Sequence, residues 1–365
     1  MNNFWQQLRQ QKELTKKPFF ALAPMADVTD PAFRALIAKY GKPDVMWTEF
    51  VSANGLMSKG REVLGRDLVF SDAERPIVAQ LFSSNPEHME GAAKLCAELG
   101  FDGIDINMGC PDKTIEKQGA GASMIKTPEV AKAVIEAAKR GIASAGKTIP
   151  VSVKTRVGYN TVAIEEWIGF LLKQDIAALT VHARTRKELS KVPAPWGRIR
   201  EVVLLRDKIS PDTVIIGNGD VVSLADGQAK AQESGVDGVM VGRALFGNPW
   251  FFDPTREMVA TLPKRAPWIL RKLPFVKRFF DTKRKAAVSK TKPISVEERL
   301  RVMVEHSELF ETMLGDIKNF SIIKKHMKAY VTGFTGAKEL RVALMEQANS
   351  SSEVKRIVEE FLTKR

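Results

Sequence analysis

Eight short β-rich runs follow one another along this chain: FFALAPM, DVMWTEF, PIVAQLF, GIDINMG, VSVKTRV, LTVHART, VIIGNGD and DGVMVGR. Helix-like stretches lie between most of them, among them PAFRALIAKYG from Pro31, PEHMEGAAKLCAELG from Pro86 and PEVAKAVIEAAKRGIASAG from Pro128. Each of these three opens on proline, whose missing N–H costs nothing in a first helical turn, and runs to a glycine suited to a helix end. A strand and a helix repeated eight times predict an α/β fold, a (β/α)8 TIM barrel over about residues 18 to 255. An open doubly wound sheet is the alternative use of the same units. After residue 293 the pattern changes. VEERLRVMVEHSELFETML and IKNFSIIKKHMKAYVTGF space their apolar residues by three and four with no further β-rich run, which predicts a C-terminal helical domain over residues 294–365.

In a barrel of this kind the chemistry sits at the C-terminal ends of the strands. Pro24 and Met25 follow the first run, Glu49 the second, Gln80 the third, Asn107 and Cys110 the fourth, Lys154 and Arg156 the fifth, and His182 and Arg184 the sixth. Asn218 and Gly219 close the seventh, and Gly242 and Arg243 the eighth. The last two runs end in small residues that expose backbone N–H groups beside Arg243, and the loops after strands seven and eight are the frequent phosphate site of these barrels. Together they favour a phosphorylated cofactor. Lys154 and His182 point into the same mouth, and with Gln80 and Asn107 they supply donors suited to the polar edge of an isoalloxazine ring, where a protein orients and tunes a cofactor that performs the redox step.

Cys110 is one of only two cysteines in 365 residues and lies in a Gly-Cys-Pro turn at the barrel mouth. Cys96, inside AAKLCAEL, suits a small buried hydrophobe. Cys110 suits reactivity, as a thiol that delivers a proton or a thiolate that attacks. Metal binding is not expected, because His and Cys partners at ligand spacing are missing. The Gly119-Ala-Gly121 stretch is no dinucleotide fingerprint, since it lacks the third glycine and a strand directly before it.

The chain carries a formal charge of +13, and residues 263–293 supply +10 of it through eleven Lys and Arg against the single acid Asp281. Residues 256–293 are therefore expected to form a basic connector. Clustered cations suit a polyanion, because they release counterions from a phosphate backbone. Apolar residues interleave with them, so a basic helix lying on a membrane surface stays open as a competitor, although Pro274 would interrupt it. No window offers the roughly 18 uninterrupted apolar residues of a membrane span. The N-terminal MNNFWQQLRQQKELTKK has no apolar signal core. With so few cysteines, a reducing cytoplasm is the expected compartment, and a monomer is the default.

APMADVTDPAFR at 23–34, DINMGCP followed by GAG at 119–121, VKTRVGY at 153–159, VHARTR at 181–186, GNGDV and DGVMVGRALFGNPWFF resemble, in this order, the tRNA-dihydrouridine synthases. HMKAYVTGFTGAKELR resembles that family's helical tRNA-binding domain. The resemblance implies an FMN-binding barrel that uses NADPH to reduce the C5–C6 double bond of uracil in tRNA. It implies Cys110 as the acid that protonates C5 while reduced flavin delivers hydride to C6. Pro24, Met25, Gln80, Lys154, His182, Asn218, Gly219, Gly242 and Arg243 would bind FMN, and Asn107, Arg156 and Arg184 would bind the substrate. Two features depart from the family pattern. KELSKVPAPW keeps Trp196 but lacks the acid usual before it, and the basic connector is longer than usual. Two other functions fit parts of the sequence: a flavin reductase of a small pyrimidine or enone, and an RNA-binding or chaperone-like protein on a flavin-barrel scaffold.

Overall fold

The computed structural model describes residues 3–257 and 292–365. Of the basic connector, residues 258–291 lie outside the described residues. The chain divides into two compact units, Met1–Leu245 and Phe246–Arg365.

In the first unit all eight β-rich runs form strands: β1 (Phe19–Leu22), β2 (Met46–Ser52), β3 (Ile77–Phe82), β4 (Gly103–Met108), β5 (Val151–Arg156), β6 (Ala178–His182), β7 (Val214–Asn218) and β8 (Gly238–Val241). Every pairing is parallel, in the order β1-β8-β7-β6-β5-β4-β3-β2. A bridge between Ala21 and Val45, with the Leu22 N–H donating to Val45 O at 3.0 Å, joins β1 to the chain entering β2. The ring is thereby closed, which rules out the open doubly wound sheet. β3, β4, β7 and β8 are buried along their whole length, as expected for parallel strands covered on the outside by helices. Pro31–Tyr40, Pro86–Glu98 and Pro128–Ser144 are helices with proline in the first turn, as their sequences predict.

Strand register sets the rim. Asn107 lies opposite Lys154, Arg156 opposite His182, and His182 opposite Asn218. Residues from four consecutive strands thus reach the barrel mouth at neighbouring levels.

The opposite end is closed by an element that the sequence reading did not assign. Phe4–Thr15 is a helix, capped by the Asn3 side chain, which accepts from the N–H groups of Trp5 and Gln6. Its Trp5 is fully buried against the starts of the strands, with Trp47 and Phe19 rings at 5.6 and 6.1 Å between centroids.

The second unit holds the helices Val296–Leu314, Lys324–Tyr330, Ala337–Gln347 and Ser351–Thr363. Ser295 and Ser350 cap the first and last of them. Leu300, Met303, Phe310, Met327, Tyr330, Leu344 and Val354 form its buried interior. The helical expectation matches, but residues 246–252, expected within the barrel domain, group with these helices. The Phe246 ring stacks on His326 at 5.5 Å. Gly247 has φ +62°, and a Cβ there would lie 2.5 Å from the Tyr330 nitrogen, so only glycine fits this approach. Among the described residues no helix is long and apolar enough to cross a membrane.

Candidate active site

A cleft opens at the C-terminal ends of the strands. Pro24, Met25, Lys154, His182, Asn218, Gly219, Gly242 and Arg243 line it, eight of the nine residues expected to hold a cofactor. Gln80 does not, being fully buried beneath the rim. Ser190 and Asp220 line the cleft too, and neither was expected.

The Lys154 side chain is half-buried and makes no hydrogen bond or ion pair with any described residue. Burial pushes its pKa down to about 8, helped by Arg156 and opposed by Asp105 and Cys110. Burial likewise holds His182 well below the usual histidine range, with Arg156 and Lys154 adding to the effect. The Arg156 Nη1 lies 3.3 Å from His182 Nδ1. A guanidinium can only donate, so Nδ1 accepts and the single ring proton sits on Nε2. The cleft therefore presents a charged Lys154, a neutral His182 donating through Nε2 and, at its edge, the largely exposed Arg243 guanidinium.

Arg243 pairs with Asp220, and so does Arg184. Burial raises the Asp220 pKa, but the Ala194 N–H and the two arginines outweigh it and hold the carboxyl below its ordinary value. Arg184, expected to touch substrate, is 2% exposed and does not line the cleft; its Nε donates to Val192 O at 2.6 Å. It fixes residues 192–194 against Asp220. Trp196 closes the same loop by donating from Nε1 to Gly219 O at 2.8 Å. Although the loop lacks the family's acid, Asp220 Oδ2 accepts from the Ala194 N–H at 2.9 Å. Asp220 belongs to the GNGD run, where only Asn218 and Gly219 were singled out.

Arg156 joins the loops after β4 and β6. Its Nε donates to Gly109 O at 2.8 Å and its Nη1 to Thr185 O at 3.2 Å. Burial lowers its pKa to about 10.

The Cys110 turn is held from both sides. Asn107 Oδ1 accepts from the N–H groups of Gly109 and Cys110, at 3.1 and 2.9 Å, and the Ala122 N–H donates to Cys110 O at 2.9 Å. Gly121 has φ +62°, and a Cβ on it would lie 2.7 Å from Cys110 O. The second glycine of the GAG stretch is thus required by its approach to the cysteine, not by a nucleotide. Cys110 stays partly exposed, whereas Cys96 is buried with its thiol pushed up to about 12. Burial also raises the Cys110 thiol; the Asp112 charge adds to this, while the Asp112 N–H, Lys154 and Arg156 oppose it. The thiol is protonated at neutral pH. Asn107 is 6% exposed and its amide is engaged at both ends, through Gln80 as well as the turn. Among the described residues no cluster of His, Cys, Asp and Glu could hold a metal ion.

Compared with known proteins, the chain matches the dihydrouridine synthase (Dus) family over residues 21–365. It is 36% identical over 362 residues to "Probable tRNA-dihydrouridine synthase 2" of Bacillus subtilis (strain 168), covering 98% of this chain and 96% of that one. It is 36% identical over 363 residues to "Probable tRNA-dihydrouridine synthase" of Staphylococcus aureus (strain MRSA252), covering 98% and 95%.

Proposed function

Because the chain belongs to the dihydrouridine synthase family, we propose that it reduces the C5–C6 double bond of uridines in tRNA to dihydrouridine, with FMN in the barrel mouth and NADPH as reductant, in the cytoplasm. The observation that carries this reading is the pairing, at one rim, of an unpartnered half-buried ammonium on Lys154 with the protonated thiol of Cys110. The first calls for an electron-rich ligand, and the second can give that ligand's reaction partner a proton.

The cleft residues fit a flavin mononucleotide. Arg243 and the backbone at Gly219 and Gly242 suit a phosphate. Lys154 and the His182 Nε2–H suit the oxygen and nitrogen edge of the ring, and Pro24 and Met25 offer it an apolar wall. When bound, FMN supplies the hydride for C6 of the uracil. Cys110 gives its Sγ proton to C5, and the thiolate left behind is stabilised by Lys154 and Arg156 until solvent returns a proton. Arg156 holds the uracil edge. Asn107 and Arg184 serve the substrate through the loops they fix.

A uracil inside folded tRNA must leave its stack to reach this mouth, at a cost of a few kcal/mol that backbone contacts offset. The helical unit and the basic stretch 263–293 would supply those contacts. The test is dihydrouridine content, measured by mass spectrometry of nucleosides after incubation of the protein with NADPH and unmodified tRNA. Dihydrouridine should form with the wild type and fall at least a hundredfold in Cys110→Ala. A yellow protein that oxidises NADPH but leaves tRNA unchanged would overturn the substrate.

A further inference from the structure

Below the rim, one buried carboxylate sets the direction of a chain of amides that ends at Cys110. Asp105, on β4, is fully buried and lies opposite Gln80 on one side and Ser152 on the other. Ser152 Oγ donates to its Oδ1 at 2.7 Å and Gln80 Nε2 to its Oδ2 at 2.6 Å. Gln80 Oε1 in turn accepts from Asn107 Nδ2 at 2.9 Å, which leaves Asn107 Oδ1 for the N–H groups of Gly109 and Cys110.

The direction of this chain is fixed from both ends. Two backbone N–H groups can only donate, and a carboxylate can only accept. Neither amide can flip alone: a turned Gln80 would set its NH2 against that of Asn107, and a turned Asn107 would set its NH2 against the two N–H groups of the turn. We propose that Asp105 is a positioning residue for the reduction, holding Gln80 and Asn107 in the one orientation that fixes the Gly109–Cys110 turn. Gln80 and Asn107, expected at the cofactor and the uracil, are the links through which it acts. Burial pushes the Asp105 pKa up to about 6, with Ser152, Gln80 and Lys154 pulling the other way, so above pH 7 it is the acceptor this arrangement needs. The part played in catalysis rests on the proposed function; the positioning of the thiol does not.

Lys154 is the charged group that Asp105 influences most directly, so the test must separate its charge from its acceptor role. Asp105→Asn removes the charge but can keep an oxygen toward Gln80, its NH2 then donating to Ser152 Oγ. Asp105→Leu removes both, and Gln80→Met breaks the chain while leaving the carboxylate. Each variant is purified with its flavin, and iodoacetamide alkylation of Cys110 is followed from pH 7 to 10 by mass spectrometry, with buried Cys96 as the internal report of unfolding. In Asp105→Leu and Gln80→Met the loosened turn should expose the thiol, so that Cys110 alkylates at least fivefold faster while Cys96 stays unmodified. Asp105→Asn should stay within about twofold of wild type. Reoxidation of reduced flavin by tRNA should fall at least tenfold in Asp105→Leu and Gln80→Met, and flavin reduction by NADPH should be unchanged in Asp105→Leu.

Equal behaviour of Asp105→Asn and Asp105→Leu would overturn the proposal in favour of a charge effect on Lys154. Wild-type alkylation in both Asp105→Leu and Gln80→Met would overturn it outright. Should Asp105→Leu fail to fold, shown by modified Cys96, Gln80→Met decides alone. If the alkylation pattern holds but wild-type protein forms no dihydrouridine, the positioning stands and the proposed function falls.

Discussion

Removing the Asp220 carboxylate should destabilise the barrel unit by about 2–3 kcal/mol. The side chain of Arg184 is 2% exposed, and among the described residues its Nη1 has no hydrogen-bond partner and its charge is met by Asp220 alone. Breaking a buried pair by deleting one partner costs about 3–5 kcal/mol, because the remaining charge stays desolvated. Asp220 is 30% exposed, so water can partly replace it, which brings the figure to the lower end or below. For a unit ending at Leu245, about 2–4 °C per kcal/mol applies, and Asp220→Ala should melt roughly 5–10 °C lower at pH 7. The assay is thermal melting of flavin-free protein, so that a change in FMN affinity is not counted as lost fold. The sign with pH follows from the depressed native pKa of Asp220. Its contribution is present above the unfolded value of about 3.9 and is lost as pH falls through the native value. The gap between wild type and variant should therefore narrow below about pH 4. Arg243→Ala removes the partner that is 62% exposed and should shift melting by no more than about 2 °C. A melting point for Asp220→Ala within about 1 °C of wild type at pH 7, or a gap unchanged at pH 3, would refute the reasoning.

Trp5→Ala should cost about 3–5 kcal/mol in urea unfolding, since the indole is fully buried against Trp47 and Phe19; a loss below about 1 kcal/mol would show that the helix does not close the barrel. Gly121→Ala combines a left-handed backbone with a Cβ 2.7 Å from Cys110 O. Dihydrouridine formation should drop about tenfold with flavin retention unchanged, and full activity would show that the turn tolerates displacement.

The barrel was legible because its signal is local and repeated: each strand is a short apolar run, and its last polar residue must lie at the C-terminal rim. That logic brought Lys154, His182, Asn218 and Arg243 to one cleft. Gln80 and Arg184 are not among the residues that line it. Both sit near strand ends, but whether such a side chain reaches the mouth depends on what neighbouring strands and loops place against it. Asp105 and Asn107 consume both ends of the Gln80 amide, and Val192 O with Asp220 draws Arg184 into the wall. The Trp5 plug was hidden for a similar reason. Its helix is mostly polar, and the ring's destination is set by contacts with residues far along the chain. The grouping of residues from Phe246 onward with the helices has no signal in the sequence, because FGNPWFF continues the last strand's motif without a break, while His326 and Tyr330, the neighbours of Phe246 and Gly247, lie in the helices.

The charge pattern of the cleft explains why, in the proposed reaction, a thiol suits the acid's place better than a histidine would. Lys154 and Arg156 both act on Cys110 and on His182, and burial affects both groups. An imidazolium gives up a positive charge with its proton, so buried cationic surroundings strip it early, and His182 is held neutral. A thiol starts neutral and gains a negative charge as its proton leaves. Burial and Asp112 keep it protonated at rest, while the same two cations favour the thiolate that the proposed proton transfer would leave behind. Surroundings that suit a flavin's phosphate and electron-rich edge therefore disarm a cationic acid and assist a neutral one. The neutral acid also brings no further positive charge beside Lys154, whose pKa of about 8 leaves it mostly charged at neutral pH. A histidine at position 110 would have to be protonated against Lys154 and Arg156 before it could act.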